Sequence, residues 1–150
     1  MVELKDITLE NFWEVIGLRV RDDQSTFVAS NAVSIAQSKV MPECIPQAIY
    51  NDSVLVGFLM YCIDRIDNNY WVYRLMIDER YQGKGYGKEA MEIIIEKIKK
   101  DKSKTRILTS AEPENIIAKE LYKKLGFKLT GELTGDENDD DREEIMELLY

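Results

Sequence analysis

Apolar residues Leu9, Phe12, Trp13, Ile16 and Val20 recur at helical spacing, which predicts a first helix with Thr8 as its N-cap. Ahead of it, residues 2–5 read as a short strand. A second helix is predicted over residues 31–40, ended by the approach to Pro42. The chain then turns β-rich. Residues 47–50, the turn Asn51-Asp52-Ser53 and residues 54–64 read as strand, turn, strand. After the polar break Asp67-Asn68-Asn69, another β-rich run covers residues 70–78. These predict an antiparallel meander. From residue 85 to 100 the helical period returns, with Ala90, Met91, Ile94, Ile95 and Ile98 in one stripe. Residues 106–111 read as a strand. Residues 115–125 read as a helix with Ile117, Leu121 and Leu125 on one side, closed by Gly126 as a C′ glycine. Residues 127–130 and 144–150 predict a last pair of strands. The order β-α-α-β-β-β-α-β-α-β-β predicts an α/β chain, a mixed sheet flanked by about four helices. The βαβ unit around residues 85–100 should form a right-handed crossover.

Composition narrows the chemistry. At 150 residues, 45% hydrophobic and 32% charged, the chain fits one globular domain over residues 1–150. The net charge is −8, but residues 136–144 (DENDDDREE) hold seven acids and one arginine, leaving −2 for the remainder. That run reads as a solvated loop. No basic face supports nucleic-acid binding. The absence of histidine excludes a Ser-His-Asp or Cys-His nucleophile and an HExxH zinc site. Cys44 and Cys62 make neither a disulfide framework nor a CxxC, so no metal is expected and both read as inert buried thiols. No stretch reaches the length of a membrane span, and the start lacks a leader's basic and apolar regions. A reduced, cytoplasmic protein is expected.

The informative stretch is Leu75-Met76-Ile77 followed by Gln82-Gly83-Lys84-Gly85-Tyr86-Gly87-Lys88. A strand ends, glycines alternate through a turn, and a helix begins. Such a helix start offers unpaired N–H groups and a positive dipole end to a phosphate, and Lys84 and Lys88 add charge. The spacing is not the GxGxxG of a dinucleotide site. Glu89 after Lys88 excludes a mononucleotide P-loop.

Gln82-x-x-Gly85-x-Gly87 after Leu75-x-Ile77 resembles the acetyl-CoA signature of the GNAT N-acetyltransferases. Asn115, Ala118 and Leu121-Tyr122-x-Lys124-Leu125-Gly126-Phe127 resemble that family's closing motif. The resemblance covers essentially the whole chain and implies the GNAT fold with acetyl-CoA as co-substrate. It implies that residues 82–88 bind the pyrophosphate through backbone amides. It also implies that the strand Leu75-Met76-Ile77 is splayed from residues 107–111, so that the pantetheine arm pairs along its edge. A backbone N–H near Met76 or Ile77 would then polarise the thioester carbonyl. Asn115 is a helix cap that can also touch the cofactor, and Tyr122 would protonate the departing thiolate. Many family members place a glutamate base on the strand before the glycine loop. Here residues 70–74 carry no acid before Asp78, and Asp78 and Glu79 read as surface charge beside Arg80, so a water relay is expected.

Leu18-Arg19-Val20, Gln24, Phe27-Val28-Ala29 and Asn31 resemble the first-helix region of the bacterial spermine/spermidine acetyltransferases of this family. That resemblance implies a polyamine as the small-molecule acceptor. Carboxylates and aromatic faces suit such a ligand, and the candidates are Asp22, Asp23, Glu43, Trp71 and Tyr73. An aminoglycoside or a protein N-terminus are alternative acceptors, and a non-catalytic acyl-CoA-binding module is the alternative class. A homodimer is left open.

Overall fold

All 150 residues are described by the structure, a computed structural model. The strands are β1 (Val2–Asp6), β2 (Ile45–Asn51), β3 (Val54–Ile63), β4 (Tyr70–Ile77), β5 (Arg106–Ala111), β6 (Lys128–Leu133) and β7 (Glu144–Leu149). The helices are α1 (Phe12–Gly17), α2 (Asn31–Val40), α3 (Tyr86–Ile98) and α4 (Ile116–Lys124), with short 3-10 turns at Asp22–Gln24 and Glu79–Tyr81. Apart from these turns, the element order is the one the sequence predicts. The strands form one sheet in the order β1-β2-β3-β4-β5-β7-β6. Every neighbouring pair is antiparallel except β4 with β5.

β3 lies near the middle of the sheet and is buried almost end to end, because both of its faces are covered. On one face α3 packs Met91, Ile94 and Ile98 against Ile49, Leu59, Ile107 and Met146. On the other, Val15 and Leu18 pack against Phe58, Met60 and the two cysteines. Both thiols are free and buried, and burial pushes that of Cys62 up to about 12, so neither is a nucleophile at neutral pH.

Three expectations change. The first helix spans only six residues and its N-cap is Asn11, not Thr8. Asn11 reaches back to the Thr8 amide at 2.8 Å and the Asp6 carbonyl at 3.0 Å, and the Leu18 amide closes the other end on Val15. Its buried side is Val15 and Leu18, while Leu9 and Trp13 are exposed. Second, Ile117 is not core: it is 64% exposed. Third, β6 runs on to Leu133, with its register broken between Leu129 and Leu133 around the positive-φ Gly131.

The feature that makes a site is a short pairing. β4 and β5 are joined only at Tyr70↔Ile107, Trp71↔Leu108 and Val72↔Thr109. Beyond Val72 the strands part, and residues 73–77 of β4 have no partner on that side.

Candidate active site

A cleft of about 960 Å³ opens where the strands part. It is walled by residues 73–77 of β4, the glycine turn, α4 and the segment between α1 and α2. Asp78 fixes its geometry. This carboxylate is 2% exposed and accepts the Arg19 amide at 3.0 Å, the Arg80 amide at 3.0 Å and Arg80 Nε at 2.7 Å. It therefore ties the end of β4 to the chain following α1. Sequence reasoning placed Asp78 with Glu79 as surface charge; the structure buries it with its oxygens engaged, so it is not free to take a proton. Burial alone pushes its pKa up, but the Arg80 side chain and the two amides outweigh burial and hold it below the usual value. Asp78→Ala is expected to cost about 2–4 kcal/mol in urea denaturation. Because the folded pKa is depressed, this contribution is present at neutral pH. It fades as the pH falls through and below the usual carboxylate range, and a mutant–wild-type difference that persists in acid would contradict it.

The turn itself holds Gly83 at φ +77 and Gly85 at φ +88, the latter as the N-cap of α3. A Cβ on either would meet nothing within 4 Å, so backbone conformation rather than crowding requires glycine there. No protein acceptor takes the amides of Tyr86, Gly87 and Lys88 at the open first turn of α3. The Gln82 side chain spans the turn's base, donating to the Ile77 carbonyl at 2.9 Å and to Gln24 at 2.9 Å. Lys88 lines the cleft, as does Arg21, whose amide bonds Gln24. Lys84 does not line it; its ammonium lies 5.7 Å from the Tyr81 ring.

Strand alternation sorts the β4 amides. The Asp78 amide bonds Val56 at 2.9 Å, which turns the amide of Met76 toward β3 as well and those of Leu75 and Ile77 toward the gap. Of the Met76 and Ile77 amides, only that of Ile77 points into the gap.

α4 begins at Asn115, whose Oδ1 accepts the Ala118 amide at 3.3 Å while the residue also lines the cleft. The exposed Ile116 and Ile117 form an apolar stretch of the cleft wall. The helix ends in a Schellman motif. The Phe127 amide bonds the Tyr122 carbonyl at 3.0 Å, the Gly126 amide bonds the Lys123 carbonyl at 3.0 Å, and Gly126 has φ +97. The accompanying apolar contact is Tyr122 against Phe127, with ring centroids 5.8 Å apart. The Leu-Gly-Phe ending thus fixes the position of Tyr122. Tyr122 is buried, and burial pushes its hydroxyl up; the Thr109 hydroxyl acts against the rise and the Glu143 charge adds to it. It stays protonated at neutral pH.

The acceptor candidates fare differently. Asp22 and Asp23 lie in the exposed 3-10 turn, Asp23 paired with Arg21 at 3.4 Å, and neither lines the cleft. Glu43 is engaged by Arg65 at 2.7 Å, also outside it. Trp71 stands where β4 and β5 are still paired, and its indole N–H donates to Asp67 at 2.8 Å. Tyr73 alone reaches the cleft, its hydroxyl bonded to Asp64. Burial and that carboxylate push its pKa up. The sequence reading missed Arg74, Ser110, Glu112 and Glu143, which also line the cleft. Ser110 donates to Glu143 at 2.9 Å across thirty-three positions, a separation no local pattern spans.

A family model described as "Acetyltransferase (GNAT) family" matches residues 9–127. The spermine/spermidine N(1)-acetyltransferase of Bacillus subtilis (strain 168) is 33% identical over 137 residues, covering 87% of this chain and 90% of that protein. Two solved structures share the fold. The spermidine N-acetyltransferase from Vibrio cholerae, in complex with CoA and spermine, has a TM-score of 0.76 at 16% identity, covering 99% of this chain and 95% of that one. The aminoglycoside acetyltransferase AAC(6')-Ib, in complex with coenzyme A, has a TM-score of 0.79 at 15% identity, with coverage of 99% and 95%.

Proposed function

Because this chain belongs to the GNAT acetyltransferase family, we propose that it moves an acetyl group from acetyl-CoA to a primary amine of a polyamine, by direct attack in a ternary complex. One observation carries the cofactor assignment: unpaired α3 amides, an unpaired β4 edge and Tyr122 converge on one cleft. Acetyl-CoA supplies the thioester whose acyl carbon the amine attacks.

The amides of residues 86–88 and the dipole of α3 receive the pyrophosphate, with Arg21 and Lys88 adding positive charge. The Leu75 and Ile77 backbone groups on the gap side offer a strand edge to the pantetheine amides. The Ile77 N–H is the donor suited to the oxyanion that develops on the thioester carbonyl. As the C–N bond forms and the C–S bond breaks, the Tyr122 hydroxyl would give its proton to the thiolate, and the proton shed by the acylated nitrogen would return through water to the tyrosinate. The attacking amine must first lose a proton, and water in the open cleft carries it away. A binding module has no use for a buried acid at this point, which favours the enzyme.

The polyamine assignment is supported by the Bacillus relative. Its test is a thiol-release assay with spermine, spermidine, a short monoamine and an aminoglycoside. We expect kcat/KM for the polyamines to exceed the others by about 10-fold or more and to fall with added salt, as screened attraction should. A monoamine or aminoglycoside that is the better substrate overturns the polyamine reading and leaves the acetyltransferase intact.

A further inference from the structure

We propose that Glu143 is the carboxylate that seats the acceptor's ammonium group and is therefore a specificity-determining residue. The inference rests on the amine-acetyltransferase reading above and names the residue that reads the acceptor.

Glu143 immediately precedes β7. Because β7 pairs with β5 in a register that sets Ala111 opposite Glu144, residue 143 falls where β5 has already left β4. It is held there rather than carried on a loose tip. Its amide donates to Thr134 Oγ1 at 3.0 Å, and its carbonyl accepts the Thr134 amide at 2.9 Å. A smaller cavity of about 250 Å³ adjoins the main cleft. Glu143, with Tyr73, Arg74 and Ser110, lines both. The carboxylate thus stands at their junction.

One carboxylate oxygen, Oε2, accepts the Ser110 hydroxyl at 2.9 Å, and Oε1 has no protein partner. No cation of the chain lies within ion-pair distance of it. Arg74, the guanidinium lining the same two cavities, is held by the Tyr73 carbonyl at 3.0 Å and by Gln37 at 3.2 Å. Arg142 donates to the Thr134 carbonyl at 3.0 Å, and Lys119 pairs with Glu144 at 2.7 Å. A half-buried carboxylate without a counter-ion is costly, and a cation entering the cleft relieves that cost. The protonated amine of the acceptor is the cation this reaction brings. The seat is also near the chemistry, since the Glu143 charge is felt at the Tyr122 hydroxyl. Glu112 also lines the cleft, close enough to feel the Glu143 charge.

The test uses the full chain and whichever amine of the panel is turned over fastest. We expect Glu143→Gln to raise KM for that amine by about 10–100-fold while kcat changes less and CoA affinity by calorimetry stays the same. Glu143→Asp should recover part of the loss. Asp140→Asn, on the same acidic run but outside the cleft, should leave KM unchanged. Ser110→Ala keeps the charge but frees Oε2, and should raise KM less than Glu143→Gln does. A Gln variant with wild-type KM overturns the proposal. So does a Ser110→Ala variant that loses as much as Glu143→Gln, because Glu143 would then be a loop latch. Should the Gln variant fail to fold, Glu143→Asp decides instead, because it retracts the carboxylate by one methylene: a raised amine KM at unchanged CoA affinity supports the seat, and a wild-type KM overturns it. A preferred amine other than a polyamine sinks the polyamine reading without touching this one. Turnover of no amine removes both.

Discussion

Tyr122→Phe is expected to lower kcat by about 10²-fold and to leave KM for acetyl-CoA nearly unchanged. The substitution removes one oxygen and preserves what positions the ring. The contact with Phe127 is made by the aromatic faces, and the Schellman bonds are made by the backbone, so the helix ending persists. What disappears is the proton donor that the proposed mechanism sets beside the leaving sulfur. The wild-type pH profile should show two limbs. Activity climbs with pH as the amine loses its proton. It declines only at strongly alkaline pH, because burial lifts the Tyr122 hydroxyl above the ordinary tyrosine value. In the Phe variant the rising limb should remain and the alkaline decline due to Tyr122 should be gone. Single-turnover thiol release across pH measures both. Full kcat in the variant would hand the acid role to water and return Tyr122 to the core.

Gly85→Ala is expected to weaken acetyl-CoA binding by about 10²-fold or more. The reason is conformational. At φ +88 an L-residue is strained by roughly 1–2 kcal/mol, so the chain relieves the strain by turning the peptide and re-aiming the amides of residues 86–88. A thermal midpoint lowered by about 2–8 °C should accompany the change. Valine at this position adds β-branching to the same strain and would confound affinity with stability. Gly87→Ala is the internal comparison. Its φ is not positive, and a Cβ would lie 3.5 Å from Ile77 Cγ1 and 3.8 Å from Leu121 Cδ2, which is ordinary contact. Replacing a helical glycine by alanine stabilises by up to about 1 kcal/mol. Gly87→Ala should therefore keep its affinity and melt no lower than wild type. Calorimetry in which Gly85→Ala binds like wild type would remove the turn from cofactor recognition.

The wall of the cleft formed by the glycine turn and α4 was legible because its determinants lie close together in the chain. The glycine turn sits between a strand and the α3 stripe of Ala90, Met91, Ile94, Ile95 and Ile98, all of which are buried. Asn115 and the Leu-Gly-Phe ending bracket a single short helix. The opposite wall is built across the sheet. Glu143 meets Ser110 only because β7 inserts beside β5, and Arg74 meets Gln37 only because α2 lies over β4. No spacing rule reaches those distances, and the composition of residues 136–144 pointed outward to solvent. Ile117 misled for a related reason. Helical periodicity reports an apolar side without saying whether protein or a cleft lies against it, and α4 turns that side to the cleft. Asp22 and Asp23 had the right charge, but the 3-10 turn faces Arg21 and Gln24 to the cleft in their place.

Three rungs between β4 and β5, followed by bare edge, leave the sheet with hydrogen-bonding capacity that its own chain does not use. A ligand that pairs along that edge completes the sheet, so its occupancy enters the folding equilibrium directly. Bound at a hundred times its dissociation constant, such a ligand stabilises the folded chain by about 2.7 kcal/mol. If the acyl donor is that ligand, resistance to proteolysis and to heat should track its supply. When that supply falls, the exposed strand edge is also the place where another chain could add itself by main-chain pairing, so depletion of the donor and aggregation become linked through the same slot.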